Sequence, residues 1–186
     1  MQTAVRHEFI DVADYLVGEQ KSDIRHEYLG GMVYAMSGGS SDHHQIALNI
    51  AFPLRAHLKG KPCRVFVFDF KVRLGPVDDV FYYPDVMVGC DSRDTHQLYL
   101  RFPKILMEVS SDSTQRLDRQ EKRLAYQTIE TLEEYVIVAQ ERIEATLFRR
   151  ANNWQAEIFD RPDQTLFLHS IGLRLSLAAI YDGVKE

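Results

Sequence analysis

The runs KILMEV at residues 104–109 and EYVIVA at residues 134–139 decide the fold of this chain. Both are short and almost continuously apolar, which is typical of strands that are covered on both faces of a sheet. Between them, residues 118–129 carry apolar side chains at helical spacing. A buried strand, a helix and a second buried strand predict a mixed α/β domain with these two runs at the centre of its sheet.

Further elements extend this centre in both directions. Asp11 predicts the N-cap of a short helix that fades near Glu19, and Gly30-Gly31 predicts a hairpin turn. An apolar stripe at intervals of four residues predicts a helix over residues 46–58, in which Pro53 should cause a kink or an early end. The other predicted elements are strands at residues 64–74, 80–88, 144–149 and 154–159 and a closing helix at residues 177–181.

Composition limits the class of protein. With 186 residues and 45% hydrophobic side chains, the chain predicts one domain spanning residues 1–186 that needs no disulfide or metal to complete its core. The net charge of −5 requires that a nucleic-acid partner be bound by a local basic patch. Cys63 and Cys90 lack metal-site spacing and are expected to be reduced and buried. No apolar run suits a signal peptide or a membrane span, so we expect a soluble cytoplasmic protein.

Two carboxylates stand inside strand-like runs, where they are unusual. Glu108 lies between Met107 and Val109, and carboxylates are rarely buried unless they are paired or bind a metal. Asp85 follows Pro84 in the middle of the run at residues 80–88, and aspartate is a poor strand former. Carboxylates on neighbouring central strands form the smallest site for Mg²⁺, which needs one or two of them plus water and a substrate phosphate.

The predicted helix at residues 118–129 adds a cation. Asp118, Lys122 and Tyr126 are four residues apart and share one helix face. If this helix packs beside the strand that bears Glu108, the Lys122 ammonium can reach the carboxylate pair and stabilise charge on a phosphate. Arg116 and Arg119 belong to the same basic cluster, which is a candidate for phosphate contacts.

The chain resembles the Uma-type putative restriction endonuclease family of the PD-(D/E)XK nuclease superfamily. The resemblance covers residues 11–159 and rests on HEYLGGMVYAMSGGSSDHHQIALNI, VFDFKVRL, YYPDVMVGCD, ILMEVSSDST, DRQEKRLAYQ and EEYVIVAQ, in this order. It implies a restriction-endonuclease-like core, in which a mixed central β-sheet is flanked by helices, with an N-terminal hairpin. It also implies Mg²⁺-dependent hydrolysis of phosphodiester bonds.

The resemblance also assigns residues. It matches Asp85 to the aspartate of the PD motif and Glu108 to the (D/E) position, and it implies Glu27 and His43 as outer contributors, although His44 leaves the histidine ambiguous by one position. The superfamily expects lysine two residues after the glutamate, where this chain has Ser110. The Uma-type family supplies its lysine from the following helix, which implies Lys122.

The sequence therefore predicts a metal-dependent DNA endonuclease. Asp85, Glu108 and the backbone carbonyl of Val109 would hold Mg²⁺, or Mn²⁺ as the alternative ion, with Lys122, Glu27 and His43 completing the catalytic set. Ser110 keeps open a non-catalytic module that binds nucleic acid or protein, and nothing in the sequence decides between DNA and RNA. Symmetric cutting of a duplex favours a homodimer. Three tyrosines could stack on bases, although core packing is the commoner role: Tyr82, Tyr83 and Tyr99.

Overall fold

The computed structural model describes residues 9–75, 79–110 and 121–184. Along the chain the elements are α1 (Val12–Glu19), β1 (His26–Leu29), β2 (Met32–Ala35), α2 (Ser41–His57), β3 (Arg64–Val67), β4 (Lys71–Leu74), β5 (Val80–Tyr82), β6 (Val86–Gly89), β7 (Tyr99–Leu100), β8 (Pro103–Ser110), α3 (Arg123–Gln127), β9 (Glu134–Ala139), β10 (Ala145–Arg149), a 3₁₀ turn (Arg150–Asn152), β11 (Ala156–Phe159), β12 (Thr165–Leu168), β13 (Leu173–Ser176) and α4 (Leu177–Ile180).

The strands form three sheets. A six-stranded sheet has the order β11-β10-β9-β8-β6-β3, and a five-stranded sheet has the order β2-β1-β5-β4-β7. The hairpin β12-β13 forms the third sheet. Strand β8 runs parallel to β9 and antiparallel to β6, so the larger sheet is mixed. The predicted mixed α/β fold is confirmed, and the runs KILMEV and EYVIVA lie at the centre of this sheet as predicted.

Three apolar cores separate the layers. Ile46 of α2 packs against Met107 on one face of the six-stranded sheet. On the other face, Leu106 and Tyr126 pack against Tyr82 of the five-stranded sheet, so α3 and this second core lie between the two sheets. Tyr15 of α1 belongs to the third core on the outer face of the five-stranded sheet. Alternate residues of β8 therefore face different cores, as the two-residue period of a strand requires.

The two longest predicted strands are each divided between the sheets, contrary to the sequence prediction. Residues 64–74 form β3 and β4, and residues 80–88 form β5 and β6. The first break occurs where Phe68 adopts a left-handed φ of 54°. The second break covers residues 83–85, which include Pro84. The Phe68 amide donates to the Asp85 carbonyl at 3.0 Å, so the two breaks are paired. Asp85 thus lies at a corner where the chain passes between sheets, and not within a strand.

Pro53 does not end the long helix, so the predicted early end is wrong. Helix α2 continues through Pro53 to His57. Ile46, Ile50 and Leu54 are almost fully buried on its inner face. Burial of each such side chain contributes about 1.5–3 kcal/mol, which together exceeds the roughly 3 kcal/mol that proline costs inside a helix.

The other helices begin where their sequences indicate. The Asp11 side chain caps α1 by accepting from the Asp14 amide at 2.8 Å. The described part of the predicted helix at residues 118–129 contains α3, and Asp118 lies outside the described residues. Strands β7, β12 and β13 were not predicted from the sequence.

The expectation of two reduced, buried cysteines is wrong. Cys63 and Cys90 form a disulfide, and both residues are half-buried. Strands β3 and β6 pair with Arg64 opposite Gly89, so the cysteine next to each of these residues meets the other just beyond the paired ends. The two cysteines are 27 residues apart, and this separation alone does not indicate from the sequence that they form a bond. The expectation of a cytoplasmic location therefore loses the support of the cysteines.

Within the described ranges, no helix combines the length and the apolar character that crossing a membrane demands.

Candidate active site

The antiparallel register of β6 and β8 positions the two candidate carboxylates. Val86 pairs with Met107 and Met87 pairs with Leu106. Continuing this register by one residue sets Asp85 opposite Glu108. Side chains directly opposite each other in an antiparallel pair project to the same face with Cβ atoms about 4.5–5.5 Å apart. Like charges in this arrangement repel each other, so the pair needs nearby cations or hydrogen-bond donors.

Asp85 is held by two groups from different elements. Its Oδ1 lies 2.7 Å from His43 Nε2, and its Oδ2 accepts from the Val109 amide at 2.7 Å. His43 lies near the start of α2, where Ser40 caps the helix. The neighbouring ring of His44 contacts Phe68 instead, at 5.0 Å between ring centroids. The structure therefore brings His43, and not His44, to the aspartate.

Glu108 is buried between the two sheets. Its Oε1 accepts a hydrogen bond from the Tyr126 hydroxyl at 2.8 Å. Tyr126 is fully buried, and burial, together with the charge of Glu108, raises the pKa of its phenol well above the usual 10. The phenol is therefore a permanent hydrogen-bond donor at neutral pH. The sequence placed Tyr126 on the same helix face as Lys122 but assigned it no contact with the glutamate.

Lys122 points at the carboxylates and not at solvent. Its Nζ lies 3.0 Å from Glu27 Oε1 and 3.6 Å from Glu108 Oε1, and its side chain is 15% exposed. The ammonium also lies 5.4 Å from the centre of the Tyr82 ring. The lysine from the following helix thus reaches the glutamate that Ser110 cannot serve.

Glu27 reaches this cluster from the other sheet. It lies in β1, whose register with β5 continues to place Glu27 opposite Tyr82. Its Oε1 is buried and makes no hydrogen bond of good geometry among the described residues, although the Lys122 ammonium is 3.0 Å away. The contact is therefore an ion pair between the Lys122 ammonium and the Glu27 carboxylate. Residues from both sheets, α2 and the turn before α3 converge at one site.

The three tyrosines considered for base stacking are core residues. Tyr82, Tyr83 and Tyr99 are only 6%, 4% and 6% exposed. Their rings are covered by protein, so the structure supports the core role. Of the basic cluster, Arg116 and Arg119 lie outside the described residues.

The carboxylates fit an open Mg²⁺ site better than a closed metal cage. Within residues 9–75, 79–110 and 121–184, no three His, Cys, Asp or Glu side chains form a group that could hold a metal ion. Mg²⁺ requires only one or two carboxylates and keeps water and substrate phosphate as its other ligands. Asp85 and Glu108 meet that requirement, because their side chains supply the carboxylate oxygens that Mg²⁺ prefers as ligands. The chemistry of these residues is therefore compatible with Mg²⁺.

A cavity of about 640 Å³ lies at the other end of β8 and is not part of this site. It is lined by Lys104 and Glu134, among others, near the start of β8 and β9. Glu134 is already bonded to Arg149 Nε and to the Ser170 hydroxyl. The cavity therefore presents satisfied ion pairs, whereas the carboxylate pair lies towards the Ser110 end of β8.

Comparisons with known proteins identify relatives along nearly the whole chain. Residues 12–179 match the model of the Uma2 family, described as "Putative restriction endonuclease". The uncharacterized protein slr1290 of Synechocystis is 32% identical over 174 residues, which cover 92% of this chain and 90% of that protein. A second Synechocystis protein, the uncharacterized protein sll1609, is 26% identical over 143 residues, which cover 75% and 80% of the two chains.

A solved structure shares the fold. The crystal structure of a putative nuclease of the DUF820 family from Anabaena variabilis superposes with a TM-score of 0.77. The match covers 95% of this chain and 99% of that chain at 17% identity, so it establishes the fold alone. The expected nuclease-like core is confirmed. The match over residues 12–179 shows that the chain belongs to the Uma2 family of putative restriction endonucleases.

Proposed function

We propose that this protein is a Mg²⁺-dependent endonuclease that hydrolyses phosphodiester bonds in DNA. The observation that carries the proposal is the position of Lys122, whose ammonium lies 3.6 Å from Glu108 although Ser110 occupies the usual lysine position. A cation beside one carboxylate of a candidate metal-binding pair suits metal-dependent phosphodiester hydrolysis, because the reaction builds negative charge on the phosphate.

Each residue has a distinct task in this proposal. Asp85, Glu108 and the Val109 carbonyl would hold Mg²⁺, with Mn²⁺ as the alternative ion. The ion, when bound, lowers the pKa of a water and polarises a phosphate oxygen. The Val109 amide fixes one oxygen of Asp85, and the Tyr126 hydroxyl fixes one oxygen of Glu108. Both contacts orient the carboxylates before substrate arrives, which lowers the cost of reorganisation.

Lys122, Glu27 and His43 complete the proposed catalytic set. Lys122 orients the attacking water or offsets charge on the phosphate, and Glu27 holds the ammonium from the opposite side at 3.0 Å. His43 contacts Asp85 at 2.7 Å and keeps the other carboxylate in place. This division lets Lys122 serve from the turn before α3 in place of a lysine on β8.

The alternative function is a module that binds nucleic acid or protein without cutting it. Ser110 at the usual lysine position favours this alternative, and the buried approach of Lys122 to Glu108 favours the enzyme. A nuclease that acts on RNA would use the same groups. We propose DNA on the description of the family as restriction endonucleases. We also propose a cytoplasmic location, where the protein would meet DNA, and a homodimer, because two symmetric sites would cut both strands of a duplex.

A cleavage assay tests the proposal. Wild type, Glu108→Ala and the control Glu133→Ala are incubated with Mg²⁺ or Mn²⁺ on duplex DNA, single-stranded DNA and RNA. Glu133 is a suitable control because it is a half-exposed carboxylate that pairs with Lys104 at the opposite end of β8. We expect wild type and Glu133→Ala to cut DNA and Glu108→Ala to lose all metal-dependent cleavage. Cleavage by Glu108→Ala would refute the assignment.

Calorimetry separates the two functions if wild type does not cut. Mg²⁺ binding by wild type that is lost in Glu108→Ala would support the metal site. It would also mean that the nucleic acids in the cleavage assay did not include the substrate. Absence of both cleavage and Mg²⁺ binding in wild type would favour the binding module.

A further inference from the structure

Strand β2 leaves exposed apolar side chains beside the candidate active site. It is the edge strand of the five-stranded sheet, and its four residues Met32–Ala35 carry no charge. Tyr34 is 48% exposed and Met32 is 45% exposed. The Tyr34 hydroxyl donates to Met32 Sδ at 3.6 Å, so the two side chains lie together.

The register of the hairpin places this pair on the face of the site. Tyr34 is directly opposite Glu27, and Val33 is opposite Tyr28. Opposite residues share a face, so Tyr34 projects to the side on which Glu27 meets Lys122, with Cβ atoms of the pair about 4.5–5.5 Å apart. Met32, two residues away, shares that face, whereas Val33 projects to the face of Tyr28. We name Tyr34 and Met32 the edge pair.

We propose that the edge pair is a stacking site for a nucleobase next to the phosphate that is cut. The proposal rests on the proposed nuclease function and specifies where its substrate is held. An exposed tyrosine ring offers a flat surface on which any base can stack, and such contacts do not depend on the base sequence. The site beside it would bind the phosphate, so one nucleotide strand can contact both groups.

Pairing with a second copy of this chain explains the edge pair less well. A second β-strand would bind the open edge of β2 through backbone hydrogen bonds. Side chains stand roughly perpendicular to a sheet, so strand addition leaves the face with Tyr34 and Met32 uncovered. The edge pair is instead continuous with the candidate active site through Glu27, which favours substrate as its occupant.

The test measures binding of a labelled single-stranded oligodeoxynucleotide to chains in which Glu108→Ala prevents cleavage. Tyr34→Ala, Tyr34→Phe and Val33→Ala are compared in this background. Val33 is the matched control because it lies on the same strand, is 38% exposed and faces the other side. A 2-aminopurine in the oligonucleotide reports stacking by its fluorescence, and size-exclusion chromatography reports the oligomeric state.

We expect Tyr34→Ala to weaken binding by about 5- to 150-fold, the range measured for loss of one stacked base. Tyr34→Phe and Val33→Ala should bind within about two-fold of the parent, because the first keeps the ring and the second leaves the edge pair intact. The quenching of 2-aminopurine should disappear only in Tyr34→Ala.

Two results would overturn the inference while leaving the nuclease proposal standing. One is cleavage by wild type together with unchanged binding in Tyr34→Ala. The other is a changed oligomeric state in Tyr34→Ala, which would assign the edge pair to a subunit contact. Tyr34-dependent binding by a wild type that neither cuts nor binds Mg²⁺ would support the stacking site and refute the nuclease. Neither binding nor cleavage would refute both.

Discussion

Replacing Lys122 with methionine should strongly destabilise the fold. Methionine keeps an apolar stem of similar length near the Tyr82 ring but removes the ammonium. The carboxylates of Glu27 and Glu108 then face each other without the cation that both contact, and their side chains are only 18% and 5% exposed. Two buried like charges without this cation raise the free energy of the native state.

The magnitude follows from the two distances. At an effective dielectric constant of about 20, a pair of charges at 3.0 Å or 3.6 Å interacts with roughly 5 kcal/mol. Desolvation of the ammonium offsets several kcal/mol of this attraction. Removing one partner of a buried pair typically costs about 3–5 kcal/mol, and we expect a loss in that range for Lys122→Met.

Urea unfolding measures this loss. With a slope of about 2 kcal/mol per molar urea, the midpoint should fall by roughly 1.5–2.5 M. Lys104→Met is the matched control, because Lys104 pairs with the half-exposed Glu133 and such pairs contribute about 0–1 kcal/mol. The double variant Lys122→Met, Glu27→Gln should regain part of the stability, since one of the two facing charges is gone.

The result that would refute this reasoning is a Lys122→Met midpoint equal to that of Lys104→Met. It would mean that the ammonium does not stabilise the two buried carboxylates in the native state.

Two further predictions concern the disulfide and the buried phenols. Reduction of the Cys63–Cys90 bond, or Cys63→Ser, should lower the free energy of unfolding by about 2–4 kcal/mol, since the bond closes a loop across 27 residues; unchanged urea midpoints with and without reductant would contradict this. Burial raises the pKa of the Tyr181 phenol to about 12 and raises the pKa of the Tyr83 phenol further. The contribution of these phenols to the free energy of unfolding is therefore fully present below about pH 10, and it is lost as the pH rises through their pKa values in the folded chain. The part of the phenolate absorbance that Tyr181→Phe or Tyr83→Phe removes should therefore appear only with unfolding, and its appearance near pH 10 in a folded chain would be the contrary result.

Much of the fold could be predicted because its signals are local. The Asp11 cap, the stripe of Ile46, Ile50 and Leu54 and the two apolar central strands depend only on neighbouring residues. The sheet breaks could not be predicted in this way. Phenylalanine does not signal a left-handed φ, yet Phe68 adopts one at the point where its amide donates to the distant Asp85 carbonyl. Strands β12 and β13 were missed because their short alternating runs give weak signals.

The candidate site shows the same division. Its residue types could be predicted, because charge inside an apolar strand is costly and the spacing of the segments resembles a known family. Their contacts are set by strand register and by packing between sheets. The approach of Lys122 to Glu108 could be predicted from the helix that follows the strand, whereas Glu27 lies far away in sequence and only the packing of the two sheets brings its carboxylate to the same ammonium.

The amino-acid sequence by itself determined which residues are apolar, charged or helix-capping, and hence the fold class, the central strands and the carboxylates that cannot be ordinary core residues. The tertiary structure alone decided which side chains meet and which are exposed. It joined Cys63 to Cys90, buried Tyr82 and left Tyr34 at the surface. The physical reason is that propensity and periodicity act over a few residues, whereas burial and pairing depend on elements that are distant in the chain.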